Sequence, residues 1–542
     1  MSFLARAFGN DHAELDAPPQ PSLKFFRILF VAFLFSFVFD YKAPDIGFGA
    51  ASTGGSIFQF AFLGLAVASG GLISILGVRH LLVRPGVYLV LLWWGFTGFS
   101  LVVSFLWGNE PGRILRLAIP LLLVGFGLNA TLIVSATGMR PGEAVRWFLF
   151  AALVNVAWRF VFGATATGIP LSEIRMGILS PSMRFLFAWV GCAFLLRRKF
   201  TWWSLVIFGL PLAVAAISVT RSMILPIGVS FIMASGCLVL AMLWRMYDLR
   251  FPFKKIGPLA VMGVAMVFLV LGVAMVQPTL ADRWYQRFFD NRGEGGATTE
   301  DLSSLMRKAE AKAMWDILEK EPHSFIYGKG LGASYYWDES YYPELFLVYP
   351  DNRHQFPDEI YSAGHSIWTY TLFSTGWIGI GVTLLAFFIP MGLSLHSARL
   401  NSRTVMGKRA WDTFLIFLPF VAMWATLSES ITRNPFDERF TGVLFGFMMA
   451  LPQFFYNRAF YLGYREAVGQ ETAQIVLDED TAEMVEEESR EPFAEVTAVP
   501  RHPAIPTGQE NSQQPGQTQP GMSHHLVGCS YGDSKPTGGR EN

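Results

Sequence analysis

Some twelve runs of about 20 mostly apolar residues decide what this chain can fold into. They begin near Leu23, Ser56, Pro85, Ile114, Ala144, Pro181, Trp202, Met223, Ile256, Ser366, Trp411 and Phe440. A helix of that length crosses roughly 30 Å of hydrocarbon and satisfies its own backbone donors and acceptors on the way. The expected fold class is therefore an all-α integral membrane protein with about twelve transmembrane helices. Composition agrees: 15% of the residues are charged, against about 25% in an ordinary soluble domain. The seventh and eighth runs are separated only by "SVTRS", and Pro211 and Pro226 within them predict kinks.

Lysine and arginine in short loops mark the cytoplasmic side of such a protein. One set of loops holds Arg79, Arg84, Arg140, Arg146, the run Arg197 to Lys199, Arg245, Arg250, Lys254, Lys255, Arg399, Arg403, Lys408 and Arg409. The opposite loops hold fewer, namely Lys42, Arg113, Arg116, Arg175, Arg221, Arg433 and Arg439. Placing both termini in the cytoplasm satisfies this bias. No removable leader is expected ahead of the first apolar run, which follows a polar segment without a small-residue cleavage site. The organisation read from the sequence is a cytoplasmic segment (1–22), spans one to nine (23–276), an exterior loop domain (277–365), spans ten to twelve (366–456) and a cytoplasmic tail (457–542). The tail is acidic and then rich in Gln, Pro and Gly, too poor in apolar residues to bury a core, and reads as mostly disordered.

Formal net charge is zero, which argues against a nucleic-acid partner. Cys192, Cys237 and Cys529 have neither disulfide-framework nor zinc-ligand spacing, and the acidic residues of the exterior loop, Asp338, Glu339, Glu344, Asp351, Asp358 and Glu359, show no recognisable metal spacing. No metal or other cofactor is expected. The exterior loop itself looks folded. Thr298 with Asp301 has the spacing of a capping box, and Leu302, Met306, Ala309, Ala313 and Ile317 form a helical stripe that "KEP" ends. "GKGLG" follows as a tight turn. Without a strand before it and a helix after it, it is a weak nucleotide signal. The aromatic and acidic stretch "YYWDESYYPELFLVYPDNRHQFPDEIY" suits a sugar-binding surface or a membrane-interface belt.

Four clusters share the exterior face. They are "EIRMGILSPSMR" with Arg175 and Gly177, "SVTRSM" with Arg221, the loop helix with Arg307 and Trp315 followed by Pro322, Gly328, Gly330 and Gly332, and His365 with Ser366 at the head of the tenth span. Singly, each has an ordinary explanation. An arginine near a helix end snorkels to the interface, and Ser366 sits where a helix N-cap belongs. Arg221 stands out because it lies between two apolar segments with almost no loop, where a charge is costly and tends to mark function or pairing. Taken together, guanidinium groups suited to phosphate oxygens and an imidazole able to accept a proton near neutrality describe a site that holds a diphosphate while deprotonating a hydroxyl.

The order of these clusters resembles the O-antigen ligase and polysaccharide polymerase superfamily of bacterial envelopes. The similar pattern is an Arg-x-Gly element before a span, a Ser/Thr-Arg between two spans, an exterior loop with Arg…Trp…Pro…Gly-x-Gly-x-Gly, and a His at the start of the next helix. Here these read "RMG", "TRS", "RKAEAKAMWDILEKEPHSFIYGKGLG" and "GHS". The motif match covers roughly Ser172 to Gly381. Two positions depart from the pattern: Ser366 follows the histidine where Asn is common, and "SPS" at Ser180 to Ser182 replaces Asn-Pro-Asn.

The resemblance implies a metal-independent inverting glycosyltransferase of the polytopic GT-C type in a bacterial inner membrane, with its active site on the periplasmic face. Arg221 and Arg307 would bind the diphosphate, with Arg175 a further donor-binding candidate, and His365 would activate the acceptor. Its partners would be a polyprenyl-diphosphate-linked oligosaccharide donor, a glycan or lipid A-core acceptor, membrane lipids, and a chain-length regulator or flippase. Polymerase, ligase and protein-directed oligosaccharyltransferase share these motifs. The alternative from another class is a transporter or flippase of lipid-linked glycans. Such proteins keep their ionisable groups near the bilayer midplane within repeated halves, whereas here the conspicuous charges sit at the outer edge and no internal repeat is visible.

Overall fold

The structure, a computed structural model, describes residues 21–40, 56–81, 85–166, 178–197, 203–218, 220, 223–247, 251, 253–276, 282, 284–285, 302–336, 364–404, 413–431, 434–436 and 438–459. These all belong to one compact unit, Met1–Ala473. Helix is its regular structure, and no strand occurs among the described residues.

A helix starts within a few residues of every apolar run. In chain order these are α1 (Pro21–Phe35), α2 (Ser56–Ala66, continued through a wide turn at Val67–Gly71 into Leu72–Leu76), α3 (Gly86–Leu106), α4 (Pro111–Ala136), α5 (Pro141–Ala166), α6 (Met183–Leu195), α7 (Trp203–Ser218), α8 (Ile224–Leu243) and α9 (Phe253–Val276). The residues between α9 and the next long helix add α10 (Leu302–Lys320) and the short α11 (Ser324–Tyr327). The bundle resumes with α12 (Ile367–Asn401), α13 (Leu418–Ser430, entered through the turn Thr413–Phe417) and α14 (439–459).

Seven of the helical stretches are long and apolar enough to cross a membrane: Phe58–Leu76, Gly86–Leu106, Pro111–Ala136, Pro141–Thr165, Ile224–Leu243, Ile367–Asn401 and Thr413–Ser430. Their outward residues, such as Ile75, Leu106, Ile232 and Leu243, are large, apolar and exposed, as a lipid-facing surface requires. Length, apolarity and outward-facing side chains together mark a membrane protein.

Two expectations change. The run beginning near Pro181 yields only the 13-residue α6. At about 1.5 Å per residue it is some 20 Å long, short of the ~30 Å of a hydrocarbon core. Every residue of α6 is buried, so it is a central strut wrapped by other helices. Pro226 does not kink α8: it is the third residue, in the first turn, where a backbone N–H has no intrahelical partner to lose. The sharp break in α12 falls instead at Gly376, whose φ of 64° and ψ of −161° leave the helical region. The capping-box pair Thr298 and Asp301, and the tail beyond residue 459, lie outside the described residues.

One end of the bundle carries a layer of buried polar groups. Arg159 of α5 donates to the Leu179 carbonyl at 2.7 Å and pairs with Glu438 at 2.6 Å. Arg184 of α6 pairs with Glu429 at the end of α13, and donates to the Pro181 carbonyl and the Thr441 hydroxyl, each at 3.0 Å. Asn155 donates to the Val38 carbonyl at 2.7 Å and accepts from Ser180. Charges inside a membrane bundle are costly unless paired, and these are paired. Together they stitch the ends of α1, α5, α6, α13 and α14. This is the end that the charge bias assigns to the exterior.

Candidate functional site

Helix α10 is amphipathic and lies against the bundle. Its buried residues are Leu305, Ala309, Ala313, Met314 and Leu318, packed with Tyr335, Tyr370 and Phe373. The stripe read from the sequence is thus rotated: Ala309 and Ala313 face inward as expected, while Met306 and Ile317 flank the contact. Helix α10 stops at Lys320, just before "EP", as the proline requires.

The "GKGLG" turn docks α10 and α11 onto the membrane helices. Gly328 and Gly330 have φ of 78° and 83°, and a Cβ at Gly330 would fall 2.4 Å from the Ser104 backbone. Only glycine permits that approach. The turn's backbone donors are spent on protein. Lys329 N donates to the Phe373 carbonyl at 2.8 Å, Gly330 N to the Ser374 carbonyl at 2.7 Å, and Leu331 N to Ser104 Oγ at 2.6 Å. The acceptors Phe373 and Ser374 sit just before the break at Gly376. A helix end orphans its last carbonyls, and the turn fills that need. In return, Trp107 Nε1 donates to Gly328 O and Asn109 Nδ2 to Lys329 O, at 3.0 and 2.8 Å. Lys329 Nζ lies 2.6 Å from Glu321 and 4.0 Å from the centre of the Trp107 ring. The turn is a structural clamp on a broken helix, and these donors are not turned toward a phosphate.

The break separates a short helical segment, residues 367–375, from the rest of α12. His365 stands just ahead of that segment. Ser366 is its N-cap by position: its backbone is extended, its carbonyl accepts from Tyr370 N at 3.0 Å, and its side chain makes no capping bond. His365 meets Glu310 of α10. The His365 backbone N–H donates to Glu310 Oε1 at 2.7 Å, and His365 Nδ1 lies 2.6 Å from Glu310 Oε2. Glu310 is buried, with 1% of its surface exposed, whereas the His365 side chain is 56% exposed. Against an ionised carboxylate, Nδ1 takes the role of donor, which leaves Nε2 as the acceptor nitrogen. The arrangement is a carboxylate-held imidazole whose side chain is more than half exposed.

Sequence reasoning missed Glu310. Its signal was available: an acid on the apolar face of α10, at the i+1 position from Ala309 and four before Met314, both buried. Arg307 is partly buried on the same helix, three residues before Glu310, a spacing that places two residues at neighbouring positions of a helix surface. Trp315 is half-exposed, its ring against Phe325 at 5.0 Å. Arg175, Gly177 and Arg221 lie outside the described residues. Of the residues near Arg221, Ser218, Thr220 and Met223 are described and all buried, and Met223 N donates to the Thr220 carbonyl at 3.1 Å. Among the described residues no three His, Cys, Asp or Glu side chains group to hold a metal ion; the six acidic residues of the loop singled out from the sequence are outside that set. No protein-family model matches the chain, and no curated protein is significantly similar to it.

Proposed function

We propose that the chain is a membrane glycosyltransferase of some twelve spans, with both termini in the cytoplasm of a bacterial inner membrane and its site at the periplasmic face. It moves a glycan from a polyprenyl diphosphate to an acceptor hydroxyl, in the polymerisation or ligation of a surface polysaccharide such as O-antigen or exopolysaccharide. The observation that carries this reading is the Glu310–His365 dyad at the exterior loop, an oriented imidazole outside the bundle core. The family resemblance of the motifs supports it.

In this mechanism His365 Nε2 accepts the proton of the acceptor hydroxyl as its oxygen attacks the anomeric carbon. The bond from that carbon to the diphosphate oxygen breaks, and the polyprenyl diphosphate departs with the electron pair. Attack from the face opposite the leaving group inverts the anomeric centre. Glu310 stabilises the imidazolium that forms and fixes its tautomer, as the acid of a catalytic triad does. Arg307 and Arg221, with Arg175, bind the diphosphate; the planar guanidinium fork matches its oxygens, and the leaving group needs no cytosolic nucleotide.

The test is incubation of the purified protein with polyprenyl-diphosphate oligosaccharide, alone and with a lipid A-core acceptor. Chain growth in the first tube identifies a polymerase, and product only in the second identifies a ligase. Movement of the lipid-linked glycan across vesicles with no new glycosidic bond would replace this reading with transport.

A further inference from the structure

Glu310 holds His365 from the side of the exterior loop. A second hydrogen bond reaches the same short helix from the bundle. Trp368, three residues past His365 in the first turn of the 367–375 segment, donates its indole N–H to Ser430 Oγ at 3.1 Å. Ser430 is fully buried at the last position of α13, and its own hydroxyl proton goes to the Leu427 carbonyl at 2.5 Å, which aims a lone pair at the indole. The residue before it, Glu429, is the buried partner of Arg184. Arg184 in turn ties α6 to α14 through Thr441 at 3.0 Å.

A buried ion pair adds little stability over well-packed apolar side chains of the same size. Its retention here, one residue from the Trp368 acceptor, calls for a geometric reason. The three-way junction of α6, α13 and α14 fixes the end of α13 through directional bonds in addition to apolar packing. We propose that Trp368 and Ser430 are positioning residues for His365, with the Arg184–Glu429 pair as their foundation. This rests on the reading of His365 as the general base. The dyad is formed by two pieces of chain, α10 and the 367–375 segment, which pack on each other through Tyr370 and Phe373. Glu310 holds the ring from α10; the bond to Ser430 references the same short segment to α13 of the bundle, beside which a lipid-borne donor must lie. An indole N–H that merely needed any partner would have no such consequence.

The experiment uses the full-length protein, purified and labelled with ¹⁵N-histidine, in lipid nanodiscs. The readout is solvent exchange of the hydrogen-bonded His365 Nδ1 proton, assigned by its loss in His365→Gln. Trp368→Phe, which keeps an aromatic ring and deletes only the donor, should speed that exchange about tenfold, as a local opening does. Ser430→Ala should do the same, and the double variant no more than either alone, since both remove one bond. Transfer assays on the same samples should show kcat lowered by about ten- to a hundredfold with the donor KM little changed, the signature of a misplaced catalytic group. Unaltered exchange in Trp368→Phe, or additive effects in the double variant, would overturn the proposal. Faster exchange in the variants beside a wild-type protein that forms no glycosidic bond would instead remove the glycosyltransferase reading and leave the anchor standing.

Discussion

Glu310 uses both oxygens of one buried carboxylate on a single residue, His365, taking the backbone N–H at 2.7 Å and the imidazole Nδ1 at 2.6 Å. The ring is thereby fixed in tautomer and in direction. An imidazole needed only as an interfacial or capping group would not require a buried acid, which is expensive to place in an apolar contact.

Replacing Glu310 should therefore cost catalysis more than folding. Glu310→Gln keeps the volume and one acceptor but loses the charge that stabilises an imidazolium. We expect the transfer rate to fall by about 10²- to 10⁴-fold, the range that proton transfer by a positioned base supplies. His365→Ala should fall at least as far, and the double variant no further, because the two residues act as a unit. Initial rates on purified, inserted protein decide the matter. Near-normal turnover in Glu310→Gln would take the acid out of the mechanism.

Arg307 tests the diphosphate. Arg307→Lys retains the charge but lacks the planar fork, so donor affinity should drop by at least about tenfold if two-point recognition holds. Arg221→Ala should abolish product. The measurement is donor KM and kcat with acceptor saturating; full activity in Arg307→Lys would mean that the arginine contributes only charge.

The helix break makes a stability prediction. A Cβ at Gly376 would fall 2.3 Å from the Ile326 carbonyl oxygen, on top of its positive φ. Gly138 also has a positive φ, of 87°, but nothing lies within 4 Å of a Cβ built there. Gly138→Ala should show only the conformational cost of about 1–3 kcal/mol. Gly376→Ala should show a larger loss, because α11 must move away. Thermal unfolding in detergent of the two variants side by side provides the comparison, and equal shifts would contradict the docking contact.

The Arg159–Glu438 pair, buried on both sides, offers a second one. Removing one partner, as in Glu438→Leu, leaves a buried charge alone and should cost about 3–5 kcal/mol. The double variant Arg159→Met with Glu438→Leu should recover most of that loss. A double variant as unstable as Glu438→Leu would show that the arginine's bond to the Leu179 carbonyl matters more than the pair.

Part of this protein was legible in its residues alone. Each of the apolar runs became a helix starting where the pattern changes, because in lipid a backbone has no partner but itself and must close its own hydrogen bonds locally. The end of α10 before Pro322 was equally local, a clash between neighbours in the chain. The candidate histidine and loop arginine were visible as ionisable groups next to apolar segments. What pattern could not supply was pairing. Glu310 and His365 are 55 residues apart, Arg184 and Glu429 are 245, and Leu331 and Ser104 are 227. The glycine turn read as a weak nucleotide signal because no strand precedes it and no helix follows it; only the fold shows that its donors go to the carbonyls of Phe373 and Ser374. Helix formation depends on interactions within a few residues, so the sequence determined it. The dyad, the anchored break and the buried ion pairs depend on which surfaces meet when α10 settles on the bundle, and that choice belongs to tertiary packing.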